Sequence, residues 1–136
     1  MIERVAVDSS ALVAILNGEA EARDLESIVL DCAVTIGWPT VLEVRLWLRR
    51  RPAALMTWLE ERLDDESTTV LPFGRSQELI AREAARRYGR GHHPAALNFG
   101  DCIAYAVAEH EGLPLLFKGA DFGKTDVRVH PGSVLL

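Results

Sequence analysis

The stretch Arg4-Val5-Ala6-Val7-Asp8-Ser9-Ser10-Ala11-Leu12 constrains this chain more than any other. Three small or β-branched apolar residues run unbroken into one acid. A strand with one wet face alternates apolar and polar residues. A continuous run is the pattern of a strand buried on both faces, as in a parallel sheet covered by helices. Such a strand delivers its next residue to the carboxyl edge of the sheet, where open α/β folds place their ligands. Asp8 is that residue. Ser9 or Ser10 suits a helix start, Ala11, Leu12, Ile15 and Leu16 give the helix an apolar face, and Gly18 stops it. Taken alone, Asp8 serves equally well as the cap of that helix.

The alternation continues along the chain. Residues 19–31 space Ala22, Leu25, Ile28 and Val29 at helical intervals. Residues 32–36 read as a second buried strand closed by Gly37. A helix then starts at Trp38-Pro39-Thr40 and ends at Arg49-Arg50-Arg51-Pro52, cations that suit a helix C-terminus before a proline that cannot continue it. A helix over 53–63, a strand over 68–73 and an arginine-rich helix over 76–88 follow. Gly89-Arg90-Gly91-His92-His93-Pro94 is a loop. A helix over 98–110 stops at Gly112 and Pro114. A strand over 115–117, a loop over 118–126 and a short edge strand over 127–129 complete the pattern. Strands alternating with helices predict right-handed βαβ units. The expected fold is a three-layer α/β/α domain with a mostly parallel sheet of four or five short strands. Without repeat, low-complexity segment or linker, residues 1–136 are expected to form one domain.

Composition narrows the function. A net charge of −5 argues against coating nucleic acid through a broad positive field, while leaving room for a local basic rim. No apolar run approaches the roughly 20 residues of a membrane span, and no basic-then-apolar leader opens the sequence. The expected compartment is the cytoplasm. Cys32 and Cys102, lacking a CxxC spacing, are expected as reduced, buried thiols.

Four acids sit oddly against this frame. Asp8 follows the first strand and Asp121 the fourth, two strands able to flank the switch point of a doubly wound sheet. Asp101 falls in the first turn of its helix, and Glu43 in the first turn or so of another. Four converging carboxylates would repel one another unless a cation lay between them, and Mg²⁺ or Mn²⁺ suits an all-oxygen set. Each acid also has a local explanation. Thr40-Val41-Leu42-Glu43 and Asn98-Phe99-Gly100-Asp101 both fit a capping box, and Asp121 fits a turn. Only the set points to a metal.

Val-Asp-Ser-Ser-Ala-Leu at 7–12, Glu43, Leu-Asn-Phe-Gly-Asp-Cys at 97–102 and Leu-Phe-Lys-Gly-Ala-Asp-Phe at 116–122 resemble the PIN-domain ribonucleases, and more narrowly the VapC toxins of bacterial toxin–antitoxin pairs. The resemblance runs the length of the chain in the same order, and 97–105 is its most specific part. It implies Mg²⁺-dependent RNA cleavage, with Asp8 and Asp101 as principal ligands. Glu43 is implied as a ligand or the carboxylate orienting a water, Asp121 as an outer ligand, and Ser10 as a support for Asp8. Many PIN domains carry an acid soon after the fourth strand, where this chain reads Gly119-Ala120-Asp121, so Asp121 ranks below the other three.

An RNA substrate calls for cations at the rim. Arg82, Arg86, Arg87 and Arg90, with His92 and His93, precede the Asp101 helix, and Lys118 and Lys124 flank Asp121. Each arginine is also at home as a solvated residue on an exposed helix. Adjacent histidines point apart, so His92-His93 is not read as a metal pair. Trp47 shares a face with Val44, and Trp58 with Leu55, which is core behaviour. The resemblance further implies a cognate antitoxin laid in an apolar groove, with the helix over 41–48 as part of that groove, and a homodimer. Two alternatives remain: a PIN-type RNA-processing nuclease without an antitoxin, and an α/β phospho-acceptor domain using Lys118. The second normally wants an acidic pair after the first strand, and here Asp8 is followed by two serines.

Overall fold

A computed structural model describes residues 2–136. Its elements in chain order are β1 (Arg4–Val7), α1 (Ser9–Leu16), α2 (Ala22–Asp31), β2 (Ala33–Gly37), α3 (Trp38–Leu48), α4 (Ala53–Asp64), β3 (Thr69–Leu71), α5 (Arg75–Tyr88), α6 (Phe99–Glu111), β4 (Leu115–Leu116), β5 (Lys118–Gly119) and β6 (Val134–Leu135). The main sheet has the order β3-β2-β1-β4, all parallel, and β5 pairs with β6. This is the expected α/β/α architecture. Val5 and Val7 face a core built with α1, α2, α3 and α4, and Ala6 faces a second core built with α5 and α6. All three are buried, which is why their run lacks polar alternation. Chain order reverses between β1 and β4, so that edge is the switch point.

Several boundaries differ from the sequence reading. The third strand is cut to three residues because Pro72 has no N–H for the ladder. The loop expected over 118–126 contains β5 and a 3₁₀ turn over Phe122–Lys124. The strand expected over 127–129 is reduced to one bridge between Val129 and Leu115. Beyond it, Pro131 and Gly132 interrupt the ladder, which resumes at β6. Ser133 fills the gap: its Oγ donates to the Leu115 carbonyl at 3.1 Å and accepts from the Phe117 N–H at 3.2 Å. One interrupted segment thus runs beside the whole length of residues 115–119.

Trp47 and Trp58 pack against the core as expected, whereas Trp38 is half exposed. Both cysteines are buried free thiols. Among the described residues no helix is long and apolar enough to cross a membrane.

Candidate active site

Asp8 leaves β1 at the switch point and caps α1. Its backbone N–H donates to the Leu116 carbonyl at 3.0 Å, and its Oδ2 accepts from the Ser10 N–H at 3.0 Å. The residue is only 3% exposed, and Oδ1 is buried without a hydrogen-bond partner. Burial pushes this carboxyl up to about 6, against the lowering effect of the Ser10 and Ser9 hydrogen bonds; the charge of Glu43 raises it further. Ser10 links two elements, because its Oγ also accepts from the Lys118 N–H at 3.0 Å.

Asp101 is placed by a capping box that forms in full. Its N–H donates to Asn98 Oδ1 at 2.9 Å, and its Oδ2 accepts from the Asn98 N–H at 3.0 Å. Cap and cluster are therefore not alternatives: one carboxylate oxygen serves the helix while the other remains. Burial raises this carboxyl to about 6, opposed by the Asn98 N–H; the charges of Asp8 and Asp121 add to the rise, and Arg90 counters it.

The capping box expected at Thr40 and Glu43 does not form. With Pro39 in its first turn, α3 starts at Trp38 after Gly37, so Glu43 lies in the second turn, beyond reach of the helix start. Its carboxylate instead lies against the bare Cα of Gly100 and hydrogen-bonds Ser9. Burial of that carboxylate, with the nearby charge of Asp101, raises its pKa despite the Ser9 hydrogen bond. Asp121 is half-buried between β5 and the 3₁₀ turn. The four acids are thus linked by mutual repulsion: Asp8 with Glu43 and Asp101, and Asp101 with Glu43 and Asp121.

An all-oxygen set with one buried, unpartnered carboxylate oxygen fits a hard divalent cation. A different trio, Glu3, Cys32 and His130, has its ligand atoms all within 4.8 Å of one another, but lies at the opposite end of the sheet. There His130 Nδ1 accepts from the Gly132 N–H at 3.0 Å, so the ring proton sits on Nε2, 2.6 Å from Glu3. A nitrogen already donating to a carboxylate is not a metal ligand, and this trio is a hydrogen-bonded tie.

The basic residues divide. Lys118 is held by Glu19 and Glu21 at 2.6 and 2.9 Å, Arg86 by Glu83, and Arg82 by Glu78. Arg87 bonds Asp126 and the Tyr88 hydroxyl. Among the described residues Arg90 and Lys124 make no ion pair; Arg90 acts on Asp101. His92 bonds the Arg86 carbonyl and His93 accepts from the Ala95 N–H, so the two rings serve separate contacts.

Sequence reasoning missed Ser9, Gly100 and the Tyr105–Asp126 hydrogen bond of 2.6 Å that ties the segment after Asp121 to α6. Ser9 and Gly100 lie within motifs already singled out, but only the fold brings Glu43 to them. Beside the acids, Trp38, Leu42, Leu46, Phe73, Phe99 and Ile103 line an apolar cavity of about 690 Å³ that also includes Glu43 and Gly100. Phe99 is 82% exposed.

Parallel strands meeting at a switch point bring these acids to the carboxyl edge of the sheet, where open α/β folds bind their ligands. The PIN domain family model matches residues 5–128, and this chain belongs to that family. It is 42% identical to "Ribonuclease VapC" of Mycolicibacterium smegmatis, covering 89% of this chain and 95% of that protein. It is 41% identical to "Ribonuclease VapC42" of Mycobacterium tuberculosis, covering 90% and 95%. Among solved structures, the Mycobacterium tuberculosis VapC20 toxin aligns at a TM-score of 0.70 with 22% identity, over 91% of this chain and 98% of that one. A toxin–antitoxin complex from Klebsiella pneumoniae aligns at 0.68 with 19% identity, over 96% and 95%.

Proposed function

We propose that this chain, as one nuclease domain, is the toxin of a toxin–antitoxin pair: an endoribonuclease that hydrolyses RNA phosphodiesters with a divalent metal. The observation that carries the metal reading is Asp8 Oδ1, a buried acceptor without a donor among like-charged neighbours. The names of the relatives supply the substrate class.

Asp8 and Asp101 would hold the cation, with Glu43 and Asp121 beside it, and Mg²⁺ or Mn²⁺ suits their oxygens. Bound there, such an ion neutralises phosphoryl charge and makes water a stronger acid. Glu43, its carboxyl raised, takes a proton from the attacking water as that oxygen bonds to phosphorus. The 3′ oxygen leaves with the electron pair of its bond to phosphorus and takes a proton from solvent water, giving 5′-phosphate and 3′-hydroxyl ends. Ser10 holds Asp8 in place. Arg90 and Lys124 hold neighbouring phosphates; Arg86 and Arg87 can join them, because exposed ion pairs are worth about 1 kcal/mol or less. Lys118, held by two carboxylates, orders the chain beside Asp121. That engagement also removes the lysine a phospho-acceptor would need.

The solved neighbour described as a toxin–antitoxin complex supports a cognate antitoxin as partner. The exposed apolar row of α3, Trp38, Leu42 and Leu46, is the surface we assign to its apolar segment, next to Glu43. A homodimer is expected as well. Leu46→Glu should weaken antitoxin capture; conversion of a dimer to a monomer in light scattering would give this face to a second copy instead.

The test of the function is cleavage of single-stranded or looped RNA with Mg²⁺ or Mn²⁺, stopped by EDTA, with mapping of the ends. Ends bearing 2′,3′-cyclic phosphate would mean metal-free chemistry through His92 or His93 and would sink the reading. Growth arrest on expression, relieved by Asp8→Asn at equal protein level, tests the toxin role.

A further inference from the structure

An ideal Cβ at Gly100 would fall 2.6 Å from Glu43 Oε2 and 3.0 Å from Oε1. The carboxylate therefore occupies the very space that any other residue at this position would fill. The backbone gives no reason for glycine here. Gly100 is not among the positive-φ glycines, and it sits in the first turn of α6, where alanine is the better helix former. Its neighbours at 98 and 101 form a complete capping box that does not need a bare Cα between them. The three atoms nearest that face all belong to the Glu43 carboxylate, which Ser9 also stabilises in its charged form.

We propose that Gly100 is a positioning residue: by having no side chain it admits the Glu43 carboxylate beside Asp101, and so sets the site's affinity for a divalent cation. This rests on the metal reading of the four acids. The Glu43 carboxylate, partly desolvated against Gly100, is the far end of a flexible side chain on a residue of α3 that is exposed as a whole, so a methyl group at residue 100 displaces the carboxylate toward solvent and spares the fold. The displaced charge no longer adds to the ligand set. It also no longer repels Asp101, so the metal-free protein gains where the metal-bound protein loses.

The experiment compares wild type, Gly100→Ala, Glu43→Ala and the double variant by melting in EDTA and by direct titration with Mn²⁺. Gly100→Ala should melt in EDTA at or above the wild-type temperature while its Mn²⁺ affinity falls about tenfold, the usual scale for loss of a supporting interaction. On the Glu43→Ala background the same change should leave Mn²⁺ affinity where it was. Unchanged affinity in Gly100→Ala overturns the proposal. So does an equal loss of affinity or of melting temperature on both backgrounds, which would make Gly100 a packing residue between α3 and α6. A wild type that binds no Mn²⁺ removes the metal reading itself, an outcome visible without any variant.

Discussion

Two groups of titratable side chains sit at opposite ends of one sheet, and they are finished to different degrees. At the amino end, Glu3 accepts from His130 Nε2, and His130 Nδ1 accepts from the Gly132 N–H, so both ring nitrogens of a buried histidine have partners. The neighbouring Cys32 thiol is pushed up by burial and by the charge of Glu3, and stays protonated. At the carboxyl end, Asp8 is buried with one oxygen unpartnered, and four like charges face each other. The first group is a structural tie, joining the starts of β1 and β2 to the C-terminal segment. The second sets like charges against one another, an arrangement that a bound cation would relieve. Burial with partners marks a structural group, whereas a buried carboxylate oxygen without a donor, set among other acids, is where a ligand fits.

The largest expected effect separates the two ends by activity. Asp8→Asn should lower RNA cleavage by roughly a thousandfold or more, as expected for loss of a principal participant. His130→Ala should keep the activity of each folded molecule while costing about 2–3 kcal/mol of stability in urea unfolding, through an orphaned Gly132 N–H and a lost buried side chain. A folded His130→Ala protein without activity would break the contrast.

Next comes pH. The carboxyls of Asp8 and Asp101 hold their protons up to about 6 in the folded protein, whereas an unfolded aspartate releases its proton near 3.8. Between these values the folded state binds more protons, so stability falls as pH rises. In EDTA the protein should therefore lose up to about 3 kcal/mol between pH 4 and pH 7 through the ionisation of Asp8. Saturating Mg²⁺ should remove this loss, because the metal replaces the protons. A metal-free protein that gains stability over that window from these groups would contradict the buried, unpartnered placement of Asp8.

Asp101→Asn should have a smaller effect on stability. The amide oxygen can still accept from the Asn98 N–H, so the capping box survives while the repulsion disappears. The metal-free stability should stay level or rise by about 1 kcal/mol after solvent screening, and Mg²⁺ should no longer raise the melting temperature. A destabilised variant with an unchanged metal response would make Asp101 a cap alone. Smallest of all, Tyr105→Phe removes one hydrogen bond to Asp126, which keeps Arg87 as a partner. We expect about 0.5–1 kcal/mol and a few-fold loss of cleavage, through a looser segment after Asp121.

The placement of Asp8 was legible because an apolar run ending in an acid has one geometric meaning in a parallel sheet. Asp101 was legible as a cap, since Asn98 and Asp101 are local partners, and its place among the acids was suggested only by the pattern of four. For Glu43 the sequence offered a capping box with Thr40 as the local alternative, and that alternative fails because Pro39, placed in the first turn, lets α3 begin at Trp38. The strand over 127–129 was overcalled because β-branched residues there promise a ladder that Pro131 then interrupts.

Sequence alone determined what depends on near neighbours along the chain: strand and helix periods, the Asn98 cap, the Gly112 stop and the parallel layering. Tertiary structure decided what depends on residues far apart. It put Glu43 against Gly100, held Lys118 between Glu19 and Glu21 and so took it from the set of open cations, and let Ser133 bridge a broken strand. The reason is range. Backbone hydrogen bonds and helix faces repeat over a few residues and leave a period in the sequence. A carboxylate's charge state and partners depend on whatever the fold brings within a few ångströms, and that leaves no period to read.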